Sequence, residues 1–345
     1  MRGLCLTATG GPEQLALLDL APPASGPGQV LVAIRAVALN HLDLWVADGL
    51  PAVPIASFPF IVACDAAGEV IEVADGVTHV APGDRVVINS GTSCGKCEAC
   101  LQRQEVFCRE FGVMGEHRPG LAAEIVAVPA INVQRITGDW SWPEAAAFTL
   151  STLTAWRMLA TRAALQPDET VLIWGIGGGV ALQALQIARH LGARVAVTSR
   201  SPEKLDRAAA LGAELLIHQQ PGTDVARQVK SHWGHGADVV VDSIGAPTWP
   251  QTQRAIRPGG RMVTCGATGG PQVELDIRRL FWFQWSLLGS TMGTSAEFET
   301  VVQVGNQGLF RPLIDTTFPL DRAVEGYRRL AAGKQFGKIV LEVSP

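Results

Sequence analysis

The sequence predicts two domains of different class: a mainly antiparallel, barrel-like β domain and an α/β domain built on a doubly wound parallel sheet. Three observations carry that expectation. A chain of 345 residues exceeds what one comfortable hydrophobic core serves. Roughly the first 130 residues read as short strands, with Val30 to Ala38, Ala67 to Val73 and Arg85 to Asn89 rich in Val and Ile. Pro27-Gly28, Asp75-Gly76 and Pro82-Gly83-Asp84 punctuate them as turns. From Pro143 the texture changes, first to a helix over Glu144 to Leu159, then to strands alternating with helices as far as about Met292. The remainder returns to an extended piece at Leu313 to Phe318, a helical one at Asp321 to Ala332 and a closing strand at Lys338 to Val343. No internal repeat or low-complexity tract interrupts this order.

Composition narrows the function. With 47% hydrophobic residues, 17% charged residues and a formal charge of -4, the chain offers neither a long disordered segment nor a surface for a polyanion. Nucleic acid is not an expected partner. Charges break the apolar runs, as Arg35 does within Val30 to Asn40, so none reaches the roughly 18 residues of a membrane span. The opening MRGLCLTATGG has no sustained apolar stretch before a small-residue cleavage site. The expectation is a soluble, cytoplasmic protein without a membrane partner. Gly and Pro supply 37 and 21 residues, which implies many tight turns. Four of the seven cysteines crowd between positions 94 and 108; that and the odd total suit a metal site in a reducing compartment better than a disulfide framework. Cys5, Cys64 and Cys265 lie outside the crowd.

The apolar strand Glu169 to Trp174 runs directly into Gly175-Ile176-Gly177-Gly178-Gly179-Val180-Ala181, followed by a helix over Leu182 to Leu191. Glycines in that place let the backbone turn tightly and approach a pyrophosphate, whose charge meets free N–H groups at the helix N-terminus. Val180 holds the sixth place of a strict G-x-G-x-x-G counted from Gly175, so the match is to the looser form with Gly178 and Ala181. The second strand, Arg194 to Thr198, ends in Ser199-Arg200-Ser201, with Lys204 one turn into the next helix. Hydroxyls and cations there suit a ribose 2′-phosphate, whereas an acidic residue would bind the 2′-hydroxyl. NADPH is therefore favoured over NADH, and the competing reading makes Arg200 and Lys204 a solvated face.

Cys94-x2-Cys97-x2-Cys100-x7-Cys108 supplies four thiolates from one loop, enough for a closed tetrahedral zinc. Such a site has no open position, so one zinc would brace the loop and activate nothing. Disulfides or idle thiols are the alternatives.

On these two motifs the chain resembles, from end to end, the medium-chain dehydrogenase/reductase superfamily, including its zinc-binding alcohol dehydrogenases and its quinone oxidoreductases. Pro82-Gly83-Asp84-Arg85-Val86, the run from Ala237 to Gly245, Arg257-Pro258-Gly259-Gly260-Arg261 and Gly337-Lys338-Ile339-Val340 look like family segments in family order. The resemblance implies a GroES-like catalytic domain from 1–151 and 294–345 and a Rossmann nucleotide-binding domain from 152–293. It implies cofactor contacts at Thr154, Gly175, Gly177, Gly178, Gly179, Val180, Ser199, Arg200, Lys204, Ser243, Gly266 and Lys338.

Zinc alcohol dehydrogenases hold a catalytic zinc with a Cys, a His and a further Cys or acidic residue, and here those places fall on Asn40, Cys64 and Leu150. Leu150 ligates nothing and Asn40 is a poor zinc ligand, so no catalytic zinc is expected. Asn40 with Asp43, and Cys64-Asp65 followed by Gly68, look more like the zinc-free quinone oxidoreductase branch, although that branch usually lacks the four-cysteine loop. A displaced metal on His41, Asp43, Cys64 and Asp65 stays open beside blander readings, Cys64 as a small buried side chain and Asp65 as a structural carboxylate.

The expected activity is hydride transfer from NADPH to a quinone, an enone or another carbonyl. Asn40, Asp43, Cys64, Asp65, Ser151 and Thr152 are the candidate catalytic residues, with Asn40 or the hydroxyls of Ser151 and Thr152 as donors to the substrate oxygen. The alternatives are an alcohol dehydrogenase with an atypical catalytic metal and a catalytically silent NADPH-binding protein. Trp45 stands where the family sometimes has a tyrosine and would line an apolar pocket, while Tyr327 reads as packing. Trp282 and Trp285 read as core or, from the resemblance, as part of the edge of a homodimer or homotetramer.

Overall fold

The computed structural model describes residues 1–50 and 55–343. The chain divides into two compact units, Met1–Ser151 with Gly293–Pro345, and Thr152–Met292.

The first unit is built on a seven-stranded sheet. Its path runs Val133–Arg135, Arg85–Ile88, Asp65–Val73, Gln29–Ala38, Lys338–Glu342, Ile314–Pro319, with Ile125–Pro129 also paired to Gln29–Ala38. All these pairings are antiparallel except the last on the path, Ile314–Pro319 with Lys338–Glu342. A three-stranded sheet, in the order Leu15–Asp19, Arg2–Leu6, Phe60–Ile61, accompanies it. Gln29–Ala38 is the centre of the unit because its β-branched side chains are buried on both faces: Val30, Val32, Ile34 and Val37 join a core that includes Leu121, Tyr327, Ile339 and Leu341. Register then decides what meets at the end of this strand. Ala38 lies opposite Asp65 on one side and Val340 on the other, and Leu39 N–H donates to Ile339 O at 2.9 Å. Asn40, Asp65 and Lys338, far apart in the chain, thus stand at the same end of three neighbouring strands.

The second unit is a six-stranded, all-parallel sheet in the order Leu215–His218, Arg194–Ser199, Thr170–Ile173, Ala237–Val241, Ile256–Thr264, Ser286–Gly289. Numbered along the unit this is 3-2-1-4-5-6, the strand order of a doubly wound dinucleotide-binding sheet. Thr170–Ile173 and Ala237–Val241 are buried at every residue, as strands covered on both faces must be.

Local boundaries differ from the sequence expectation for identifiable reasons. The helix after the glycine turn is Gly179–His190, with Gly178 as its cap, so it starts inside the glycine run and not at Leu182. Glycine is poor inside a helix but costs little in a first turn whose N–H groups have no intrahelical partner. The helix expected from Glu144 to Leu159 is Trp142–Trp156 and continues as a π-helical turn, Arg157–Arg162. The piece expected at Asp321 to Ala332 is a 3-10 turn, Leu320–Arg322, followed by the helix Ala323–Ala331.

Candidate active site and metal centre

In the second unit the expected cofactor residues from Gly175 to Gly266 follow the C-terminal ends of parallel strands, whereas Thr154 lies in the helix Trp142–Trp156. Gly175 and Gly177 adopt φ of 69° and 134°, values that a side chain disfavours, and this turns the chain from strand into helix. Gly175 N–H donates to Thr198 Oγ1 at 3.0 Å and Ile176 N–H to Thr198 O at 2.8 Å, tying the turn to the next strand. Ser199 Oγ accepts from Ser201 N–H at 3.1 Å, and Ser201 Oγ caps the helix Pro202–Ala210 by accepting from Lys204 N–H at 3.3 Å. Those two hydroxyls shape the turn, while Arg200 is exposed. Ser243 follows the strand Ala237–Val241 and Gly266 the strand Ile256–Thr264.

Asp242, which no sequence motif singles out, is fully buried and organises the Ser243 turn. Its carboxylate accepts from Ile244 N–H, Gly245 N–H, Thr248 Oγ1 and Thr252 Oγ1 at 2.7 to 3.1 Å. A buried carboxylate with no cation beside it needs such a ring of donors.

In the first unit Asp65, fully buried, is the hub of a polar cluster. It accepts from Asn40 Nδ2 at 2.9 Å, Leu150 N–H at 2.6 Å, Lys338 Nζ at 2.7 Å and Thr149 Oγ1. Lys338 Nζ also donates to Asn40 Oδ1 at 2.5 Å. The Asn40 amide is thereby occupied on both sides, its nitrogen also lying 3.5 Å from Cys64 Sγ. Asn40 N–H donates to Asp43 Oδ2 at 2.6 Å in a capping box that starts the helix His41–Asp48. Cys64 Sγ approaches Asp43 Oδ1 at 4.0 Å, and burial, then the nearby Asp43 charge, push its thiol well up, so it stays protonated.

Several expected roles change on this geometry. Asn40 was expected to offer its amide to a substrate oxygen, but that amide is spent within the cluster. Ser151 is fully buried and donates its hydroxyl to Ala147 O at 3.2 Å, the carbonyl one helical turn back. Thr152 and Thr154 are buried with hydroxyls that find no partner among the described residues. Lys338, expected at the cofactor, is buried against Asp65 and Asn40. Tyr327 is in the core as expected, yet its hydroxyl has no partner among the described residues.

Burial raises the Asp43 carboxyl from 3.8 to about 7, against the lowering pull of the Asn40 N–H and the Lys338 charge; Asp65 adds to the rise. A carboxyl raised in the folded state keeps a proton that the unfolded chain has released, so its contribution is complete below about pH 4 and is lost as pH climbs to about 7. Asp43→Asn, which keeps an acceptor oxygen, should flatten that decline. Denaturant midpoints at about pH 5 and about pH 8 check this, and an unchanged wild-type slope in the variant would sink it.

The four cysteine sulfurs lie within 4.8 Å of one another, with Cys97–Cys100 at 3.6 Å and Cys94–Cys100 at 3.9 Å. All seven cysteines are free thiols. A tetrahedron with ~2.3 Å zinc–sulfur bonds has edges of about 3.8 Å, so the quartet has the size of a tetrathiolate zinc site. Backbone N–H groups of Lys96 and Cys97 lower the Cys94 pKa to about 6, favouring the thiolate that binds metal. The loop is fastened to the helix Ser295–Asn306: Ser295 Oγ donates to Glu105 at 2.6 Å and Arg103 to Glu299 at 2.7 Å. Among the described residues this is the one group of three or more His, Cys, Asp or Glu side chains gathered closely enough to hold a metal; His41, Asp43, Cys64 and Asp65 are not so gathered.

Fold and sites define the class. An alcohol dehydrogenase GroES-like domain matches residues 26–138 and a zinc-binding dehydrogenase domain residues 179–307. The chain belongs to the medium-chain dehydrogenase/reductase superfamily, among its zinc-binding, alcohol-dehydrogenase-like oxidoreductases. It is 30% identical over 333 residues to an alcohol dehydrogenase of Geobacillus stearothermophilus, covering 96% of this chain and 97% of that one. It is 28% identical over 324 residues to an acryloyl-coenzyme A reductase of Metallosphaera sedula, covering 94% and 95%. A crystal structure of an NAD-dependent alcohol dehydrogenase superposes with a TM-score of 0.94 at 39% identity, covering all of both chains.

Proposed function

We propose that this protein is an NADPH-dependent reductase that transfers hydride to an enone, a quinone or another activated carbonyl without a catalytic zinc, and that one structural zinc is held by Cys94, Cys97, Cys100 and Cys108. One observation carries the reading. Where zinc-dependent relatives place metal ligands, this chain has an amide bonded to Lys338, a single thiol and a leucine, which leaves one good zinc ligand of three. Similarity to a protein named as a reductase of an acryloyl thioester supports an activated alkene as substrate. Similarity to alcohol dehydrogenases supports the second reading, an atypical catalytic metal.

The dinucleotide, when bound, supplies the hydride from its C4 position. The Gly175 to Gly179 turn and the N-terminus of Gly179–His190 meet its pyrophosphate; Thr154, Val180, Ser243 and Gly266 line it. Arg200 and Lys204 meet the 2′-phosphate. Replacing both with Ala should raise the KM for NADPH on the order of ten- to a hundredfold and leave that for NADH nearly unchanged. Equal effects on the two cofactors would refute the assignment. The zinc at the thiol quartet braces its loop. A homodimer or homotetramer is supported by the edge strand Ser286–Gly289, beside which Phe281 and Trp282 are 65% and 75% exposed. Among the described residues no helix is long and apolar enough to cross a membrane, and the cytoplasmic reading rests on the free thiols.

The test is elemental analysis of the purified protein with NADPH oxidation by a panel of enones, quinones and aldehydes before and after chelation. One zinc per chain and chelator-indifferent reduction are expected. Two zincs with chelator-sensitive alcohol oxidation would establish the second reading, and NADPH binding without turnover would mark a silent dinucleotide-binding protein.

A further inference from the structure

Arg200 is exposed just past the strand Arg194–Ser199, yet the backbone on both sides of it is fixed, largely from the neighbouring strand. Arg194–Ser199 and Leu215–His218 are parallel with Ser199 opposite His218, so the two segments leave the sheet side by side. Gln219 N–H donates to Ser199 O at 2.8 Å, and His218 Nε2 lies 3.2 Å from Arg200 O. A carbonyl oxygen only accepts, so Nε2 carries the proton of that bond. The peptide between Arg200 and Ser201 is thereby gripped at both of its polar groups, its C=O by His218 and its N–H by Ser199 Oγ at 3.1 Å. Pro202 completes the turn by restricting Ser201 to an extended conformation, with φ of -108° and ψ of 119°.

The half-buried imidazole is itself held in one orientation. Its Nδ1 is 3.3 Å from Gln220 Nε2, and Gln220 N–H donates to Thr223 Oγ1 at 2.9 Å. Thr223 Oγ1 donates to His218 O at 3.2 Å, while Thr223 O accepts from Gln251 Nε2 at 2.7 Å. All of these residues belong to the compact unit Thr152–Met292. A chain of bonds thus runs from the loop after one strand to the carbonyl of the arginine after the next, across 18 positions of sequence.

We propose that His218 is a positioning residue for cofactor selectivity: by holding Arg200 O it sets the direction in which the Arg200 side chain leaves the turn, and so favours NADPH over NADH without itself touching the 2′-phosphate. This role rests on the assignment of Arg200 and Lys204 to the 2′-phosphate made above. The physical gain is preorganisation. A guanidinium on a loose turn must lose backbone as well as side-chain freedom when it meets an anion, whereas here the backbone part is lost already on folding. NADH carries no 2′-phosphate, so its affinity does not depend on where that guanidinium points.

Dissociation constants for NADPH and NADH, read by cofactor fluorescence, test this without any substrate. The amide nitrogen of Gln lies about as far from the backbone as imidazole Nε2, and that of Asn only as far as Nδ1, so His218→Gln keeps the donor and His218→Asn loses it. His218→Asn should weaken NADPH about three- to tenfold, the worth of one neutral hydrogen bond, and leave NADH within about twofold. His218→Gln should stay within about twofold of the wild type for both cofactors. Equal weakening of both by His218→Asn would reduce the bond to a structural role. No weakening of either, or a His218→Gln as poor as His218→Asn, would also overturn the assignment. In an Arg200→Ala background His218→Asn should cost NADPH nothing further; a second loss as large as the first would mean that the ring contacts the phosphate directly and would refute positioning through Arg200. Arg200→Ala alone separates the two levels. If it weakens both cofactors alike, the 2′-phosphate assignment fails and the role of His218 with it. If it weakens NADPH selectively while His218→Asn weakens neither, the 2′-phosphate assignment stands and only the role of His218 falls.

Discussion

Asp65→Ala should lower the unfolding free energy by about 3–5 kcal/mol, because it removes one partner of a buried ion pair and leaves the other in place. Four donors lose their acceptor at once: the Lys338 ammonium, the Asn40 amide, the Thr149 hydroxyl and the Leu150 N–H. The ammonium dominates, since Lys338 is left with only Asn40 Oδ1 among its present partners and has no water to turn to. Urea unfolding followed by circular dichroism at neutral pH measures the loss. Asp65→Asn/Lys338→Met, with neither charge, should recover most of it, and a loss below about 1 kcal/mol for Asp65→Ala would contradict the cluster as described.

Gly337→Ala should be nearly as damaging, for a backbone reason. Gly337 has φ of 124°, and an added Cβ would stand 2.5 Å from Leu313 O and 3.1 Å from Asp315 N, both main-chain atoms. Relief requires the parallel strands Ile314–Pro319 and Lys338–Glu342 to part where Lys338 N–H donates to Leu313 O at 2.8 Å. Strain plus clash should cost about 3 kcal/mol or more, a fall in thermal midpoint of roughly 5 °C or more. The next residue, Lys338, anchors the Asp65 and Asn40 cluster, so on the proposed reductase reading turnover should fall as well. Differential scanning calorimetry with an NADPH-oxidation assay reads both; a midpoint within about a degree of wild type would show that the strand end yields easily.

What could be read from the sequence was what is local in it. The glycine turn, its strand and its helix are consecutive, so residue order alone specifies a backbone that curls toward an anion, and the structure differs chiefly in starting the helix at Gly179, with the other ends shifted by one residue. The thiol quartet is equally local: fifteen residues of loop from Cys94 to Cys108 bring the sulfurs within 4.8 Å. Strand positions followed from Val and Ile content and turn residues, and their ends moved by only a residue or two, as at Gln29–Ala38 and Ile314–Pro319.

The polar cluster was legible only in part. Asn40, Asp43, Cys64 and Asp65 could be named because they stand in two short motifs, but their relation to one another could not. Lys338 meets Asp65 across 273 positions of sequence because Ala38 pairs with Asp65 on one side and Val340 on the other, a matter of strand register that no local spacing encodes. That long-range contact reassigns the hydrogen-bonding of Asn40, and helix geometry alone directs the Ser151 hydroxyl to Ala147. Residue types by themselves determined the class of the protein, its dinucleotide turn and its thiol quartet, since each depends on neighbours in the chain. Which donors remain free at the polar cluster was decided by tertiary structure, because a hydrogen bond depends on which atoms the fold places about 3 Å apart.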